Sequence, residues 1–429
     1  MAGLAALDGG MVAGMTGLAN SEAACADVLI VGGGLVGLTL ASALGRAGLS
    51  IAVVDREVPA HAAADRFDGR ASAIAWGSAQ ALGGIGLWPR LAPHAQPIDD
   101  IRVSDGDSTL FVHYDHRELA DHPLGYIVEN RRIRRALYAH IAAIATLRLL
   151  APAAVEALEL RPGAIIATLA DGAEIRAPLA IACDGRNSPT RRRAGIAVAR
   201  WDYPQTGIVC SIGHELPHRG VAHERFLPAG PFAVLPLVDA PDGGHRSSIV
   251  WTERRELAPA MMALGEEEFA DEIALRFGDS LGRVSLAGPR WSYALGLLQA
   301  GTYIAPRLAL AGDAAHAIHP IAGQGLNLGL RDVAALAECV VDASRLGLDI
   351  GGPEVLRRYE RWRRFDNLVL LAATDGLNRL FSNDVAPVRL VRDLGLGMVN
   401  NLPPLKRLFM RHAMGVVGEL PRLVRGEAL

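Results

Sequence analysis

The chain has 429 residues, of which 50% are hydrophobic and 21% are charged, so it can bury a large core divided between two lobes or more. Its formal net charge of −3 gives no overall signature of nucleic-acid binding. Lys406 is the single lysine and stands in no recognisable motif, which excludes a P-loop kinase and a Schiff-base enzyme.

The N-terminal segment "MAGLAALDGGMVAGMTGLANSEAACA" consists largely of small residues, and the first basic residue of the chain is Arg46. A secretory signal peptide begins with positive charge and a mitochondrial transit peptide is rich in arginine, so the segment fits neither. We expect residues 1–25 to form a disordered Ala/Gly-rich tail.

Composition indicates neither a membrane span nor a metal or disulfide framework. No apolar run in the sequence approaches the ~18 residues that a spanning helix requires. The four cysteines are scattered and form no CxxC pair. We therefore expect a cytoplasmic protein with reduced thiols and without a zinc site.

The first structural pattern is a strand, a glycine turn and a helix, in "DVLIVGGGLVGLTLASALGRAG", followed by a second buried strand, "SIAVVDRE". Gly32, Gly34 and Gly37 occupy the positions of a GxGxxG fingerprint, where they permit a tight turn, admit a pyrophosphate and let helix and strand pack closely. Asp55, at the end of the second strand, can bind a ribose hydroxyl. The pattern predicts a site for FAD or NAD and leaves the choice between them open.

The middle of the chain alternates between helical and strand patterns. Residues 130–145 predict a helix, and "VEALELRPGAIIATLADGAEIRAPLAIACDG" predicts strands joined by Pro-Gly and Asp-Gly turns, the last of them closed by Asp184. Residues 203–255 alternate as sheet strands do, and "EEEFADEIALRFG" then predicts an acidic helix.

A third glycine-rich stretch, "LALAGDAAHAIHPIAGQGLNLGLRD", again runs from a strand into a long helix. Asp313, beside Gly312 at the strand end, can bind a polyol chain. The helix begins at the bare segment Gly325–Leu326–Asn327, although glycine in a helix costs about 0.5–1 kcal/mol relative to alanine. His316 and His319 have HxxH spacing, but without an acid on a shared helical face a metal site is not predicted.

These patterns predict an α/β fold, in which a Rossmann-type lobe is interrupted by an α+β sheet lobe and is followed by a C-terminal helical segment. We expect a discontinuous nucleotide-binding domain and a substrate-binding sheet domain. The first comprises residues 26–100, 125–200 and 290–345, the second residues 101–124 and 201–289, and the helical region residues 346–429.

The three motifs, in this order and at these separations, resemble the single-Rossmann FAD-dependent aromatic hydroxylases, which are p-hydroxybenzoate-hydroxylase-like flavoprotein monooxygenases. Within that family the ubiquinone-biosynthesis hydroxylases are the most similar. Their signature, His-Pro, small residues, then Gly-Gln-Gly-x-Asn-x-Gly-x-x-Asp, is met without a gap by His319 to Asp332. The resemblance continues through "FDGRASAI", "YIVENRRIRRAL", "FLPAGPFAVLPL" and "YERWRRFDNLVLLAATDGLNRLF", and thus covers residues from about 27 to 415. Cys183 departs from the alanine that is commoner in the family's Asp-Gly motif.

The resemblance implies FAD as the cofactor and assigns contacts to individual residues. The three fingerprint glycines would hold the pyrophosphate and Asp55 the adenosine ribose. Val155 would line the adenine pocket, Asp184 would close the phosphate region, and Asn130 would begin a helix whose N-terminus faces the cofactor.

On the flavin side, the resemblance implies that Arg70 reaches the phosphates or the flavin edge and that Asp313, next to Gly312, bonds the ribityl chain. Pro320 and the segment Gly325 to Asn327 would lie against the isoalloxazine ring. A helix N-terminus carries roughly half a positive charge and unpaired N–H groups, which stabilise negative charge at the pyrimidine edge. A Cβ at Gly325 would hold the ring away from these donors. The resemblance names no catalytic side chain.

The implied activity is hydroxylation of the ring of a polyprenylated phenol in ubiquinone biosynthesis. It would use O2 and NAD(P)H, which meets FAD transiently, through a flavin C4a-hydroperoxide. Three alternatives stay open: a hydroxylase of a soluble aromatic acid, a non-catalytic scaffold subunit of the quinone-synthesis machinery, and a flavin-dependent reductase of prenyl double bonds.

The C-terminal segment 389–414 interleaves apolar residues with basic ones. Such a pattern is typical of amphipathic helices on an anionic membrane surface, and equally of a helical cap on the core. A lipid-borne substrate favours the membrane, so we expect peripheral attachment to the inner face of the cytoplasmic membrane. Contact with other ubiquinone-synthesis proteins is a further expectation.

Overall fold

The computed structural model describes residues 24–62, 64, 69–106, 108, 111–382, 392 and 398–429. One of its sheets has six strands in the order β20-β21-β13-β2-β3-β9. Neighbouring strands from β21 to β9 are parallel, and β20 is antiparallel to β21. The strands are β2 (Val28–Val31), β3 (Ile51–Val54), β9 (Leu147–Leu150), β13 (Leu179–Ala182), β20 (Ile304–Ala305) and β21 (Leu308–Leu310).

The central strands of this sheet are buried on both faces. Their sequences, VLIV, IAVV, LAIA and LAL, consist of apolar residues only, which is typical of a parallel sheet covered by helices. The same core holds helices α1 (Leu35–Arg46), α5 (Asn130–Ile141) and α9 (Gln324–Arg345). The fold therefore fixes the ends of these strands against the starts of helices α1 and α9.

A nine-stranded sheet forms the second layer. Its main path is β22-β19-β14-β17-β16-β15-β6-β7, and β18 pairs with β14 beside that path. The strands are β6 (Asp100–Asp105), β7 (Phe111–Asp115), β14 (Val198–His214), β15 (Val221–Leu227), β16 (Gly230–Leu237), β17 (His245–Arg254), β18 (Val284–Leu286), β19 (Trp291–Ala300) and β22 (His316–Ala317). One face packs on helices α7 (Ala258–Ala263) and α8 (Glu266–Phe277) around Trp251 and Phe269.

Two smaller sheets complete the strands that the structure describes. The four-stranded sheet, in the order β1-β12-β11-β10, consists of β1 (Ala24–Cys25), β12 (Glu174–Ala177), β11 (Ala164–Leu169) and β10 (Val155–Arg161). The three-stranded sheet, in the order β4-β8-β5, consists of β4 (Ala71–Ala75), β8 (Gly125–Glu129) and β5 (Ala95–Ile98).

The remaining helices lie between the sheets and in the C-terminal region. They are α2 (Pro59–Ala62), α3 (Trp76–Gly84), α4 (Trp88–Leu91), α6 (Pro189–Arg193), α10 (Pro353–Phe381) and α11 (Pro403–Ala413). Short 3-10 turns occur at Ala92–His94, His116–Glu118, Gly312–Ala314, Ile321–Gly323 and Arg422–Arg425. Within the described residues, every helix is too short or too polar to traverse a bilayer.

The α/β class is confirmed, with two differences in detail. The predicted tail extends two residues too far, because Ala24 and Cys25 pair in parallel with β12; residues 1–23 lie outside the described residues. The large sheet also contains β19, which the sequence placed with the nucleotide-binding segments, because β19 pairs along β14 from Val198 to Val209.

Candidate functional site

The predicted motifs meet at the carboxyl edge of the six-stranded sheet. Strands β2, β3, β13 and β21 run parallel, so the residues that follow them emerge at the same edge. Backbone hydrogen bonds join the segments that follow these strands. The amide of Gly32 donates to the carbonyl of Val54 (2.8 Å), that of Cys183 to the carbonyl of Val31 (2.7 Å), and that of Ala311 to the carbonyl of Ala182 (3.0 Å). The edge is a topological switch point, where α/β proteins bind ligands.

The three fingerprint glycines have different surroundings. Gly32 has a φ of +107°, and a Cβ on it would lie 2.4 Å from the carbonyl oxygen of Cys183. A Cβ on Gly37 would lie 1.9 Å from the carbonyl oxygen of Gly32. No heavy atom of the described residues lies within 4 Å of the Cβ position of Gly34. Packing therefore explains Gly32 and Gly37, whereas Gly34 borders open space at the start of α1.

Within the part of the chain that the structure describes, no side chain caps the unpaired N–H groups at the start of α1. Gly34 is the N-cap, no side chain caps the helix, and its first turn contains no acidic residue. The Asp55 carboxylate accepts hydrogen bonds from the amides of Gly33 and Glu57, the latter at 2.6 Å. Asp55 thus lies beside the glycine turn, and the helix presents positive partial charge to the space next to it.

Asp184 and Arg186 follow strand β13 along the same edge. One carboxylate oxygen of Asp184 accepts from the amide of Thr190 (3.0 Å), and the other is buried without a partner among the described residues. Arg186, which the sequence analysis did not single out, donates to the carbonyl of Gly296 (2.6 Å) on the large sheet. Its charge also acts on Asp313. The only sequence signal for Arg186 is its place directly after the Asp-Gly turn.

Asp313 follows strand β21 at the same edge. The residue keeps an exposed surface, yet burial by surrounding protein raises the pKa of its carboxyl, against the opposing charges of His316 and Arg186. Both observations follow if protein atoms crowd the carboxyl on several sides while one side is open. Gly312 precedes it with a φ of +61°.

The start of α9 contains three glycines, and their surroundings differ. Gly323 is the N-cap, with a left-handed φ of +61°, and its Cβ would lie 2.9 Å from the Cβ of Ala73. A Cβ on Gly329 would lie 2.7 Å from a methyl group of Val36 on α1. Gly325 has an ordinary negative φ, and a Cβ on it would have no atom of the described residues within 4 Å. Turn geometry and helix packing explain the outer two glycines and leave Gly325 without an internal reason.

The Asn327 side chain is committed to the protein itself. It is 1% exposed, its oxygen accepts from the amide of Ala75 (2.9 Å), and its nitrogen donates to the carbonyls of Ala73 (3.0 Å) and Gly323 (3.2 Å). If residues 325–327 contact a ring, as the resemblance implies, they would do so through backbone N–H groups, because the side-chain amide of Asn327 is already hydrogen-bonded within the protein. Pro320 caps the short turn that leads to this helix.

A buried charge network anchors the loop that carries Asp313. Asp332 of α9 accepts from His316 (2.5 Å), Arg363 (3.0 Å) and the amide of Gly312 (3.1 Å). Burial alone would raise the pKa of Asp332, but the charges and hydrogen bonds of His316 and Arg363 outweigh it and lower the pKa to about 2. The last residue of the sequence signature thus fixes the loop to α9.

The two histidines of the HxxH pair have separate surroundings. His316 belongs to the Asp332 network, whereas His319 is fully buried with its ring against the edge of Tyr203, at 5.2 Å between centroids. Burial lowers the pKa of His319 to about 4, so the ring is neutral at pH 7. Its place beside Pro320 makes it part of the support of the loop.

The other predicted residues are Arg70, Asn130 and Val155. Arg70 is exposed, and its carbonyl accepts from the amide of Asn130 (3.0 Å); its charge acts on Tyr293 of the large sheet. Asn130 begins α5 and accepts from the Ser72 hydroxyl at 2.7 Å. Val155 begins strand β10 and is 8% exposed. Arg70 and Asn130 are thus adjacent.

Two cations of the C-terminal segment are not free to meet a membrane. Lys406 is 7% exposed and pairs with Glu118 at 2.6 Å, and Arg392 is 4% exposed and pairs with Asp105 at 2.8 Å. Counting them toward a basic surface was wrong, because Arg392 is paired with the end of strand β6 and Lys406 with the 3-10 turn that follows β7. Arg407 and Arg411 are exposed, and Arg389 lies outside the described residues.

Comparisons with known proteins agree with this geometry. A family model described as FAD binding domain matches residues 25–364. The chain is 53% identical to ubiquinone hydroxylase UbiL of Rhodospirillum rubrum, over 100% of this chain and 98% of that protein. It is 36% identical to 3-demethoxyubiquinol 3-hydroxylase of Escherichia coli, over 91% of this chain and 98% of that one. The crystal structure of p-nitrophenol 4-monooxygenase PnpA from Pseudomonas putida has a similar fold, with a TM-score of 0.73 at 22% identity, covering 93% of this chain and 100% of that one.

Proposed function

Because this chain belongs to the FAD binding domain family, among the FAD-dependent hydroxylases of ubiquinone biosynthesis, we propose that it hydroxylates the ring of a polyprenylated phenol with O2 and NAD(P)H. The observation that carries the proposal is the convergence of Gly34, Asp313 and Gly325 at one sheet edge. There, among the described residues, the backbone is bare without an internal cause, and the Asp313 carboxyl keeps an exposed side.

The residues at this edge fit FAD. Gly34 and the start of α1 leave room and N–H donors for a pyrophosphate. Asp55 has oxygen lone pairs for a ribose beyond the two amides it already accepts, and the unpartnered oxygen of Asp184 is available to a polar ligand nearby. The remaining proposed cofactor contacts rest on the position of each residue in the sequence motifs; they are Arg70, Asn130, Val155 and Gly312.

Asp313 would bond the ribityl chain, and the first turn of α9 would lie against the pyrimidine edge of the ring. When bound, FAD accepts a hydride from NAD(P)H and activates O2 for transfer of one oxygen atom to an aromatic ring. The chain's own part is to place N–H donors from Gly325 to Asn327 toward developing negative charge. Pro320 and the buried His319 hold the preceding loop, which keeps water from that edge.

We propose that the chain is divided into a cofactor-binding part and a substrate-binding part. Residues 26–100, 125–200 and 290–345 hold the cofactor, apart from strand β19, and residues 101–124 and 201–289 with that strand hold the substrate. The inner face of the large sheet lies toward the loop after Pro320, since Phe226 and Ile321 share one apolar cluster. An apolar wall next to the reactive edge suits a prenylated ring better than a charged aromatic acid.

The test is a turnover assay with the FAD-loaded enzyme, a phenol that bears a short isoprenoid chain, and NADPH or NADH. We expect a product with one added oxygen atom, identified by mass spectrometry. Hydroxylation of a simple hydroxybenzoate in preference to the prenylated phenol would favour the soluble-acid alternative. Oxidation of NAD(P)H without O2 consumption would favour the reductase. If the purified protein does not bind FAD, the alternative of a non-catalytic scaffold subunit would be favoured.

We further propose that the enzyme is cytoplasmic and meets the membrane through its C-terminal region, where its substrate is stored. In the described part of 389–414, the exposed apolar residues Leu408 and Phe409 lie next to the exposed cations Arg407 and Arg411. Apolar side chains flanked by basic ones suit an anionic lipid surface. Other ubiquinone-synthesis proteins could use the same surface, and the test separates the two.

The test is co-sedimentation with protein-free anionic vesicles. The double variant Leu408→Glu/Phe409→Glu should lose vesicle binding, because it places two carboxylates against anionic lipid. Leu275→Glu, on the 78% exposed Leu275 of α8, is the matched control and should bind as the unchanged protein does. Equal binding of both variants would refute the membrane contact. If the unchanged protein itself does not bind these protein-free vesicles, the surface would be assigned to partner proteins.

A further inference from the structure

One row of residues crosses the inner face of the large sheet and contains a single carboxylate. The strand pairing aligns Val103 with Glu224, Glu224 with Ala233, and Ala233 with Val250. Directly paired residues of neighbouring strands point to the same side of a sheet. The neighbours of Glu224 in this row are therefore apolar, and one of them is small.

The face on which Glu224 lies is the one toward the proposed flavin loop. Phe226, two residues further along β15, belongs to a cluster with Ile321 of that loop. Ala222, two residues before, belongs to a cluster with Ala73, which in turn lies next to Gly323. Side chains along a strand alternate, so Glu224 lies between these two contacts on the same face. The adjacent residue His223 faces the opposite side, against Phe277 of α8.

Glu224 has no hydrogen bond or ion pair with any of the residues that the structure describes. It is partly exposed, yet burial by surrounding protein raises the pKa of its carboxyl to about 7. As at Asp313, protein atoms crowd the carboxyl while part of the side chain stays accessible to solvent. A carboxylate in such a place normally has a partner, because an unpaired polar group away from bulk water costs free energy.

The charged and titratable groups near Glu224 do not supply that partner. Asp105, which is paired with Phe226 across the strands, forms an ion pair with Arg392 at 2.8 Å. Tyr114 of β7 faces the same side, and burial raises its pKa to about 12, so it stays neutral at physiological pH. Arg225 donates to backbone carbonyls at Gly106 and Arg276.

We propose that Glu224 is a catalytic residue that accepts a hydrogen bond from the phenolic hydroxyl of the substrate and removes its proton as the ring is hydroxylated. This inference rests on the proposed function. The O–H bond of the phenol breaks, its electron pair stays on the phenolic oxygen, and a new O–H bond forms on the Glu224 carboxylate. Electron density at the ortho and para carbons rises, which favours attack on an electron-poor oxygen atom. The proton then returns to solvent or to product, without an additional oxidant or reductant.

The test compares the FAD-loaded enzyme with its Glu224→Gln variant on a short-chain prenylated phenol. Glu224→Gln should still bind FAD and oxidise NAD(P)H, but its yield of hydroxylated product should fall on the order of 10²-fold, as for loss of a general base. In the unchanged enzyme kcat/KM should rise as pH increases through about 7, because the base must be ionised, and this rise should be absent from Glu224→Gln. Glu174→Gln, at an exposed position of β12, is the matched control and should behave as the unchanged enzyme.

Two further readouts separate proton removal from a structural role. A fluorinated, more acidic phenol needs less help to ionise, so the deficit of Glu224→Gln relative to the unchanged enzyme should shrink on it. The variant should also melt at a higher temperature than the unchanged protein at pH 8, since it removes an ionised carboxylate from a poorly solvated place. An unchanged product yield and pH profile, or an equal deficit on both phenols, would overturn the role of Glu224. If the unchanged enzyme hydroxylates no phenol at all, the proposed function fails together with this inference.

Discussion

Replacing Gly325 by alanine separates the stability of the protein from its affinity for the cofactor. The Cβ position of Gly325 has no heavy atom within 4 Å, and its backbone is compatible with any residue. Alanine should therefore stabilise the FAD-free protein by up to about 1 kcal/mol, because it restricts the unfolded chain and favours the helix.

The same methyl group should weaken FAD binding. If the flavin edge lies against the first turn of α9, a Cβ at Gly325 displaces it from one or two N–H donors. The ring of oxidised FAD is neutral, and a hydrogen bond between neutral groups contributes about 0.5–1.5 kcal/mol, so loss of one or two should raise the dissociation constant on the order of 10-fold.

The assay pairs denaturant unfolding of the FAD-free protein with titration of FAD, followed by its fluorescence. Gly376→Ala is the matched control, because Gly376 is an exposed helical glycine of α10 whose Cβ position is also open. Both variants should be at least as stable as the unchanged protein, and only Gly325→Ala should lose affinity. Unaltered FAD affinity in Gly325→Ala would refute the placement of the ring.

Two further predictions concern carboxylates of the same loop. Asp332→Asn should destabilise the protein by up to about 3–5 kcal/mol in urea unfolding, because it removes the fully buried carboxylate that pairs with Arg363 and leaves Arg363 with Asp366 as its remaining anion. The pKa of Asp332 is lowered to about 2, so the ionised carboxylate contributes fully to the free energy of unfolding above its ordinary pKa of about 3.9, and this contribution is lost as pH falls through about 2. The difference in free energy of unfolding between the unchanged protein and Asp332→Asn should therefore narrow between about pH 4 and pH 2 and stay constant above about pH 4. Asp313→Asn should weaken FAD binding yet raise the melting temperature of the FAD-free protein at pH 7, because the raised pKa of Asp313 shows that its ionised form is disfavoured. A melting temperature of Asp313→Asn below that of the unchanged FAD-free protein would contradict the placement of the Asp313 carboxyl among crowding protein atoms without a partner for its charge.

Much of the site could be predicted from the sequence because its parts follow regular elements. Continuous apolar strands imply a parallel sheet, and the residues after such strands must meet at one edge, which brings Asp55, Asp184 and Asp313 together. The helices at 130–145 and after Gly323 were visible from periodicity, although α5 ends at Ile141.

Other features depend on contacts between distant segments, which a local pattern does not contain. The sequence could not distinguish Gly325, which borders open space, from Gly329, which packs against Val36. It could not show that Lys406 is paired with Glu118, because the two are far apart along the chain. Glu224 stayed unnoticed for a related reason: strand alternation defines two faces and does not say which one lies against the cofactor.

The most direct test of the central claim is turnover of a prenylated phenol by the FAD-loaded enzyme under isotope-labelled O2. The account predicts that each new ring hydroxyl carries one labelled oxygen atom and that one NAD(P)H is consumed for each hydroxylated product. An unlabelled hydroxyl, or a product formed without consumption of O2, would contradict it.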